Sequence, residues 1–324
     1  MSVMIKEYEK GAAPARLRPA VTPPKTAGEP GLLACDLDGT LLDPRGTIRP
    51  PVRAAVRAVK AAGVEVILAT GRSPWDAAPA ALALGLTGPQ IVMNGGALMW
   101  PDGRRFAWVS RLDPELVIDA LAFGRGAGLT PLLSFTDGHA CESRQGIAPR
   151  VPDFALGPRL RVVERLGDLA GRRPVRVYMP TGPDEHAQIL AEIREWFGAR
   201  ASIVYGDRYG VEVMSPGVHK GSTLRRLAET MGLGPERVAA IGDGPNDREM
   251  LEYVGRGAVL RPNDPGSLGI AGLAVRRLVV PPSGEDGAVE ALARLFPSLP
   301  VRAVARAAVE RNDDPDDLED GTAA

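Results

Sequence analysis

The chain has 324 residues, enough for one large domain or two ordinary ones, and 44% of them are hydrophobic, ample for a buried core. Its 39 basic and 40 acidic side chains leave a formal charge of −1, so no global field attracts nucleic acid or an anionic membrane. Two cysteines, Cys35 and Cys141, exclude a disulfide scaffold and a cysteine-built zinc site, while the lack of any long apolar run or signal-peptide core leaves a cytoplasmic location as the expectation.

Residues 1–30 hold five prolines without hydrophobic periodicity and read as a mobile arm. Leu32–Cys35 is a short apolar run that stops at polar residues, as a buried strand does. Val52, Val56 and Val59 then recur at helical spacing after Pro51, with Gly63 as a stop. Val64–Ala69 reads as a strand, Trp75–Leu84 as a helix and Gln90–Met93 as a strand. This β-α-β-α-β order implies parallel strands joined by right-handed crossovers.

After Asn94-Gly95-Gly96 the texture changes. Leu98–Trp100 and Phe106–Ser110 flank Pro101-Asp102-Gly103 and read as a hairpin. A helix at Pro114–Arg125 precedes strands at Thr130–Phe135, Ala140–Glu142 and Val175–Met179, then a helix at Glu185–Phe197. Ser202–Tyr205 and Val211–Met214 bracket Gly206-Asp207-Arg208, again like a hairpin. The alternating pattern resumes with a helix at Lys220–Met231, a strand at Val238–Ile241 and a helix at Asp247–Val254. Short strands near Ala258–Leu260 and Val275–Val280 and a helix from Asp286 complete it. The implied architecture is α/β: a doubly wound parallel-sheet core at 31–97 and 213–297, with an α+β domain inserted at 98–212. Residues 298–324 add a C-terminal helix and an acidic tail.

Asp36-Leu37-Asp38-Gly39-Thr40 ends the first strand, at the sheet edge where open α/β folds bind ligands. Alternation along an extended strand aims Asp36 and Asp38 the same way, and two converging carboxylates need a cation or a shared proton. The plainer alternative is a turn whose aspartates cap the next helix. Asp243 ends a second such strand in Gly242-Asp243-Gly244-Pro245-Asn246-Asp247, and the two motifs together offer oxygen ligands for a hard divalent cation. Gly-x-Gly here lacks the third glycine of a dinucleotide site. Thr70-Gly71-Arg72 could cradle a phosphate or simply cap a helix. Lys220 stands at a helix start, beside the positive end of the dipole, an unfavourable place for a lysine without a task.

Asp-Leu-Asp-Gly-Thr, Ala-Thr-Gly-Arg, His-Lys-Gly and Gly-Asp-Gly-Pro-Asn-Asp occur in that order. Together they resemble the four motifs of the haloacid dehalogenase superfamily, in particular its Cof-type phosphatases. The resemblance extends to Asn94-Gly95 and to Glu285-Asp286-Gly287-Ala288-Val289, and reaches the insert only through its size and position. It implies an Mg²⁺-dependent phosphomonoester hydrolase with a Rossmann-like core and an inserted cap. Asp36 is then the nucleophile and Asp38 the general acid and base. Mg²⁺ sits on Asp36, the Asp38 carbonyl and Asp243, with Asp247 ordering coordinated waters; Thr70, the Gly71 amide, Lys220 and Asn246 hold the phosphoryl oxygens. Gly244 departs from the usual motif, where a non-glycine residue is commoner.

The physical roles agree with that pattern. A carboxylate attacking a dianionic phosphate needs the metal and Lys220 to offset repulsion. The implied substrate is a small phosphorylated metabolite, a sugar phosphate first and a nucleotide, flavin or pyridoxal phosphate next; neither nucleic acid nor a membrane is expected as partner. A metal-dependent glycosyltransferase would need neither Asp243 nor Lys220, and a non-catalytic phospholigand-binding module would have lost a nucleophile or metal ligand. Cys35 is expected in the core. Trp196 and Phe197 are expected in the insert's core rather than under a substrate, and Glu142, Arg144 and Arg208 are minor candidates for substrate contact. The insert is expected to hinge at Asn94–Gly96 and Val213–Gly217.

Overall fold

The computed structural model describes residues 29–145, 147, 159–206, 210–263, 270 and 278–310. Nearly all of the expected arm, the acidic tail, Arg208 and the first residues of the Val275–Val280 strand lie outside them. Along the chain, β1 (Leu32–Cys35), α1 (Pro50–Ala61), β2 (Glu65–Leu68), α2 (Pro74–Ala83) and β3 (Gln90–Val92) alternate. The hairpin β4 (Ala97–Met99) and β5 (Phe106–Val109) precedes α3 (Pro114–Gly126), β6 (Leu132–Ser134), β7 (His139–Cys141), β8 (Leu160–Val162) and β9 (Arg176–Pro180). Next come α4 (His186–Phe197), β10 (Ser202–Val204), β11 (Gly210–Met214), α5 (Lys220–Thr230), β12 (Val238–Gly242) and α6 (Arg248–Tyr253). The strands β13 (Arg256–Leu260) and β14 (Leu278–Val280) and the helices α7 (Gly287–Leu295) and α8 (Val301–Glu310) follow.

Five strands form a wholly parallel sheet in the order β14-β13-β12-β1-β2. Both its faces are covered, which is why β1 is a continuous apolar run and not an alternating one. Leu33 and Cys35 pack with Val52, Val56 and Val59 of α1, Leu292 of α7 and Val301 of α8. Leu32 and Ala34 face the other way, against Leu224 and Leu227 of α5 and Met250 of α6. Each such aliphatic side chain, fully withdrawn from water, contributes about 1.5–3 kcal/mol. Cys35 is thus in the core, as expected, and burial with the neighbouring Asp36 charge pushes its thiol far above the usual range.

The third strand runs in the expected parallel direction but joins the large sheet only loosely. β3 does not extend the parallel sheet; it pairs antiparallel with β4, and β4 with β5. A single parallel bridge, Ala69 to Ile91, ties it to the large sheet. The buried Gln90 amide explains the break: its Oε1 accepts from the Leu68 N–H at 2.7 Å and its Nε2 donates to the Gly88 carbonyl, so a side chain satisfies the strand edge.

Six strands form a second sheet in the order β10-β11-β9-β6-β7-β8, antiparallel except for β7 with β8. α3 and α4 cover one face, where Val117, Leu121, Ile189, Ile193 and Phe197 meet Val177, Met179, Val211 and Val213. Trp196 is not in that core. It is 54% exposed and lies against Phe123 at 5.8 Å, because one step along a helix turns it away from Phe197. Sequence periodicity gave no sign of β8 or of the short helical turn Leu166–Arg172. No helix among the described residues is long and apolar enough to cross a membrane.

Candidate active site

β1 and β12 are neighbours, yet the chain leaves β1 toward β2 on one side and leaves β12 toward β13 on the other. That reversal opens a crevice at their carboxyl ends. Asp36 follows β1 directly and Asp243 follows β12 directly, so both carboxylates reach the same crevice. The turn Leu37–Leu41 then bends sharply at Gly39, whose φ is +76°. Any Cβ there would collide with the Asp243 carboxylate, so the close approach requires glycine. Thr40 Oγ1 donates to Asp243 Oδ1 at 2.9 Å and sets its orientation.

Lys220 opens α5 and is completely buried. Its Nζ donates to Asp36 Oδ1 at 2.6 Å and to Asp247 Oδ1 at 2.7 Å. The helix start is capped by His219, whose ring accepts from the Ser222 N–H while Ser222 Oγ accepts from the His219 N–H. Gly95, at φ +96°, lets the chain pass against His219 and Lys220, where a Cβ would overlap their backbone. Asp247 is also completely buried; its Oδ2 accepts the N–H groups of Asp243 and Gly244, each at 3.1 Å.

Three carboxylates here face one ammonium. Carboxylate oxygens of Asp36, Asp243 and Asp247 lie within 4.8 Å of one another. Burial, then the Asp247 charge, raises the Asp36 pKa well above the carboxylate range against the opposing pull of Lys220. The same two causes push Asp243 up to about 7. Burial alone would lower the Lys220 pKa, but Asp247 and Asp36 outweigh it and hold the ammonium above its ordinary value. With all three ionised, the carboxylates outnumber the one ammonium, and all the cluster's donors are oxygens. That combination fits a hard divalent cation.

Asp38 behaves differently from Asp36. Its side chain is 58% exposed at the crevice mouth, gripped by Arg72, whose Nε and Nη2 donate to its two oxygens at 2.9 and 2.7 Å. The guanidinium considered for a phosphate cradle thus lies on Asp38 instead. Thr70 is buried and its Oγ1 accepts from the Arg72 N–H at 3.1 Å. Asn246 Nδ2 donates to Asn94 Oδ1 at 2.9 Å. Met93 and Asn94 both hold positive φ, an uncommon pair for residues with side chains and a mark of functional sites.

The structure brings Asp36, Asp38, Thr70, Lys220, Asp243, Asn246 and Asp247 to one crevice. Glu142 and Arg144 serve the second sheet's own loops: Glu142 accepts from Arg125 and the Leu166 N–H, and Arg144 donates to the Leu160 carbonyl. Arg208 lies outside the described residues. Sequence reasoning assigned no role to Thr40 or Asn94, although both sit inside quoted motifs, and passed over Arg176 of β9, which reaches the Gly71 carbonyl at 3.0 Å.

A parallel sheet whose reversal gathers four acids and a buried lysine defines a class of hydrolase, and comparison with known families agrees. Residues 33–271 match the model of the haloacid dehalogenase-like hydrolases, and the chain belongs to that family. Among curated relatives, a phosphoglycolate phosphatase of Methanoculleus marisnigri is 28% identical over 267 residues, covering 82% of this chain and 97% of that one. An HMP-PP phosphatase of Cronobacter sakazakii is 26% identical over 227 residues, covering 70% and 82%. A haloacid dehalogenase-like hydrolase from Bacteroides thetaiotaomicron shares the fold with a TM-score of 0.68 at 23% identity, covering 83% of this chain and all of that one. A subclass IIB sugar phosphatase of the same superfamily superposes with a TM-score of 0.67 at 21% identity, covering 81% and 98%.

Proposed function

We propose that this hydrolase is an Mg²⁺-dependent phosphatase of small phosphorylated metabolites, sugar phosphates first, acting through an aspartyl-phosphate. The observation that carries this reading is the fully buried Lys220, ion-paired to Asp36 and Asp247 with Asp243 alongside. Such a lysine costs burial energy that packing does not require, whereas a dianionic substrate does require it. Phosphatase names among the relatives support the same class.

Asp36, the Asp38 carbonyl and Asp243 would hold Mg²⁺, with Asp247 behind them ordering coordinated waters. The ion would offset the repulsion between Asp36 and the phosphate. Thr70, the Gly71 N–H, Lys220 and Asn246 hold the phosphoryl oxygens. An Asp36 oxygen attacks phosphorus as the bond to the leaving oxygen breaks, and Asp38 delivers its proton to that oxygen. Asp38 then takes a proton from the water that attacks the aspartyl-phosphate, which releases phosphate and restores Asp36. Residues of the second sheet, within the insert drawn from 98–212, cover the leaving group and select the substrate. A phosphate-release screen across phosphorylated metabolites with Mg²⁺ tests the proposal. Turnover of sugar phosphates by the intact protein, lost in Asp36→Asn, is expected; no release from any phosphomonoester would refute it.

A further inference from the structure

Met93 and Asn94 each hold a left-handed backbone, and the turn they begin touches three of the four motifs. The Met93 and Asn94 N–H groups donate to the carbonyls of Arg72 and Thr70, at 2.9 and 3.0 Å. The Gly95 carbonyl accepts from Thr223 Oγ1 at 2.7 Å, in the helix that Lys220 opens. These ties are made to the backbone of the turn, and a glycine at 94 would keep its share of them. The Asn94 side chain has a different partner. It is 3% exposed, and its hydrogen bond runs to the fourth motif, where Oδ1 accepts from Asn246 Nδ2 at 2.9 Å across 152 residues of chain.

The two amides are fitted closely to their surroundings. A Cβ added to Gly71 would come within 3.1 Å of both Asn94 Nδ2 and Asn94 Oδ1, so this amide packs against the loop whose Gly71 N–H is proposed as a phosphate donor. A Cβ added to Gly244 would meet Asn246 Oδ1 at 2.7 Å. The glycine by which this chain departs from the usual fourth motif thus gives the oxygen end of the Asn246 amide its room, while Asn94 takes the nitrogen end. The torsion of an asparagine amide is soft, so a half-buried one without an anchor can turn over and present its oxygen, which repels a phosphoryl oxygen. Anchored at Nδ2 through one N–H, Asn246 keeps its second N–H to donate.

We propose that Asn94 is a positioning residue: its Oδ1 fixes the sense of the Asn246 amide, so that an N–H and not the carbonyl oxygen meets the phosphoryl group. The inference rests on the reading of Asn246 as a phosphate donor. It also gives the left-handed turn a purpose, since that backbone is what brings the Asn94 amide between the second and fourth motifs.

Binding of inorganic phosphate to the full-length, Mg²⁺-supplied protein, measured by calorimetry, tests it alongside kcat/KM on an aryl phosphate. Asn246→Ala is expected to weaken phosphate binding by about tenfold or more, the scale of one hydrogen bond to a charged group. Asn94→Gly suits the left-handed turn and should still unfold cooperatively in urea, yet weaken phosphate binding by about three- to tenfold. The double variant should bind no more weakly than Asn246→Ala alone, because the amide that Asn94 orients is already gone. A residue that only supported the fold would add its loss in both backgrounds. Wild-type affinity and kcat/KM in Asn94→Gly, or losses that multiply in the double variant, would overturn the proposal. Should Asn94→Gly not fold, the same cycle built on Asn94→Ala decides by the same two results. If Asn246→Ala itself binds phosphate and turns over normally, the reading of Asn246 fails and the proposal falls with it. If Asn246→Ala loses binding while Asn94→Gly keeps it, only the positioning is wrong.

Discussion

His139 offers a quantitative test of how the second sheet is seated. Its ring lies between Ser73 Oγ of the core and Ser134 Oγ of β6, at 3.1 and 2.9 Å, and it is 5% exposed. Burial, helped by the Arg176 charge, depresses its pKa to about 3. The folded state therefore keeps this imidazole neutral where an unfolded chain, with a histidine pKa of about 6.5, binds a proton. Because the unfolded state binds more protons, stability rises with pH between these values and falls as pH drops from about 6.5 toward about 3, with a limiting slope of about 1.4 kcal/mol per pH unit. From pH 7 to pH 5 the histidine alone should remove about 2 kcal/mol. The raised carboxyls of Asp36 and Asp243 act in the opposite sense, since acid neutralises them more readily in the folded state. They are common to wild type and His139→Gln, so the difference between the two proteins isolates the ring. Urea unfolding of both at pH 7 and pH 5 should show wild type losing about 2 kcal/mol more than the variant. Equal losses would mean that His139 is not held neutral at this junction.

Four further outcomes are expected. Phosphatase activity should vanish in excess EDTA and return with Mg²⁺, as all-oxygen donors require; full turnover after dialysis against chelator would contradict this. Asp36→Asn should abolish turnover of every ester, while Asp38→Asn should spare an aryl phosphate more than an alkyl one, read as kcat/KM on each. Lys220→Met should inactivate the enzyme and lower its urea midpoint, because Asp36, Asp243 and Asp247 would then crowd without their counter-charge. Gly39→Ala should cost at least about tenfold in kcat, since the added methyl meets the Asp243 carboxylate at a positive φ; wild-type kcat would refute that fit.

What the sequence discloses depends on how far apart the interacting groups lie along the chain. Asp36 and Asp243 were legible because each ends an apolar run, and strand ends in an open α/β sheet converge on one edge. Lys220 was legible as an anomaly, a cation at the wrong end of a helix dipole, and two aspartates explain it. The direction of β3 was legible, since its one bridge to the large sheet is parallel, but its main partner was not, because periodicity reports a strand and not its neighbour; Gln90, which takes the Leu68 N–H there, looks like an ordinary polar residue. Trp196 misled because two adjacent aromatics on a helix cannot share a face, and only the i, i+3, i+4 stripe shows which one is buried.

Arg72 and Arg176 mark the harder limit. Arg72 stands in a quoted motif, yet nothing local tells a fork that grips Asp38 from a phosphate cradle, and Arg176 is one arginine among many with no local sign that its arm crosses to Gly71. Their partners lie 34 and 105 residues away. The proposed catalytic set is local to strand ends and so recurs as motifs, whereas the contacts between the two sheets are made by side chains that only the assembled fold brings together. The substrate selection proposed for the insert depends on that second kind of contact, and this is why four motifs announce a phosphatase while leaving its substrate unstated.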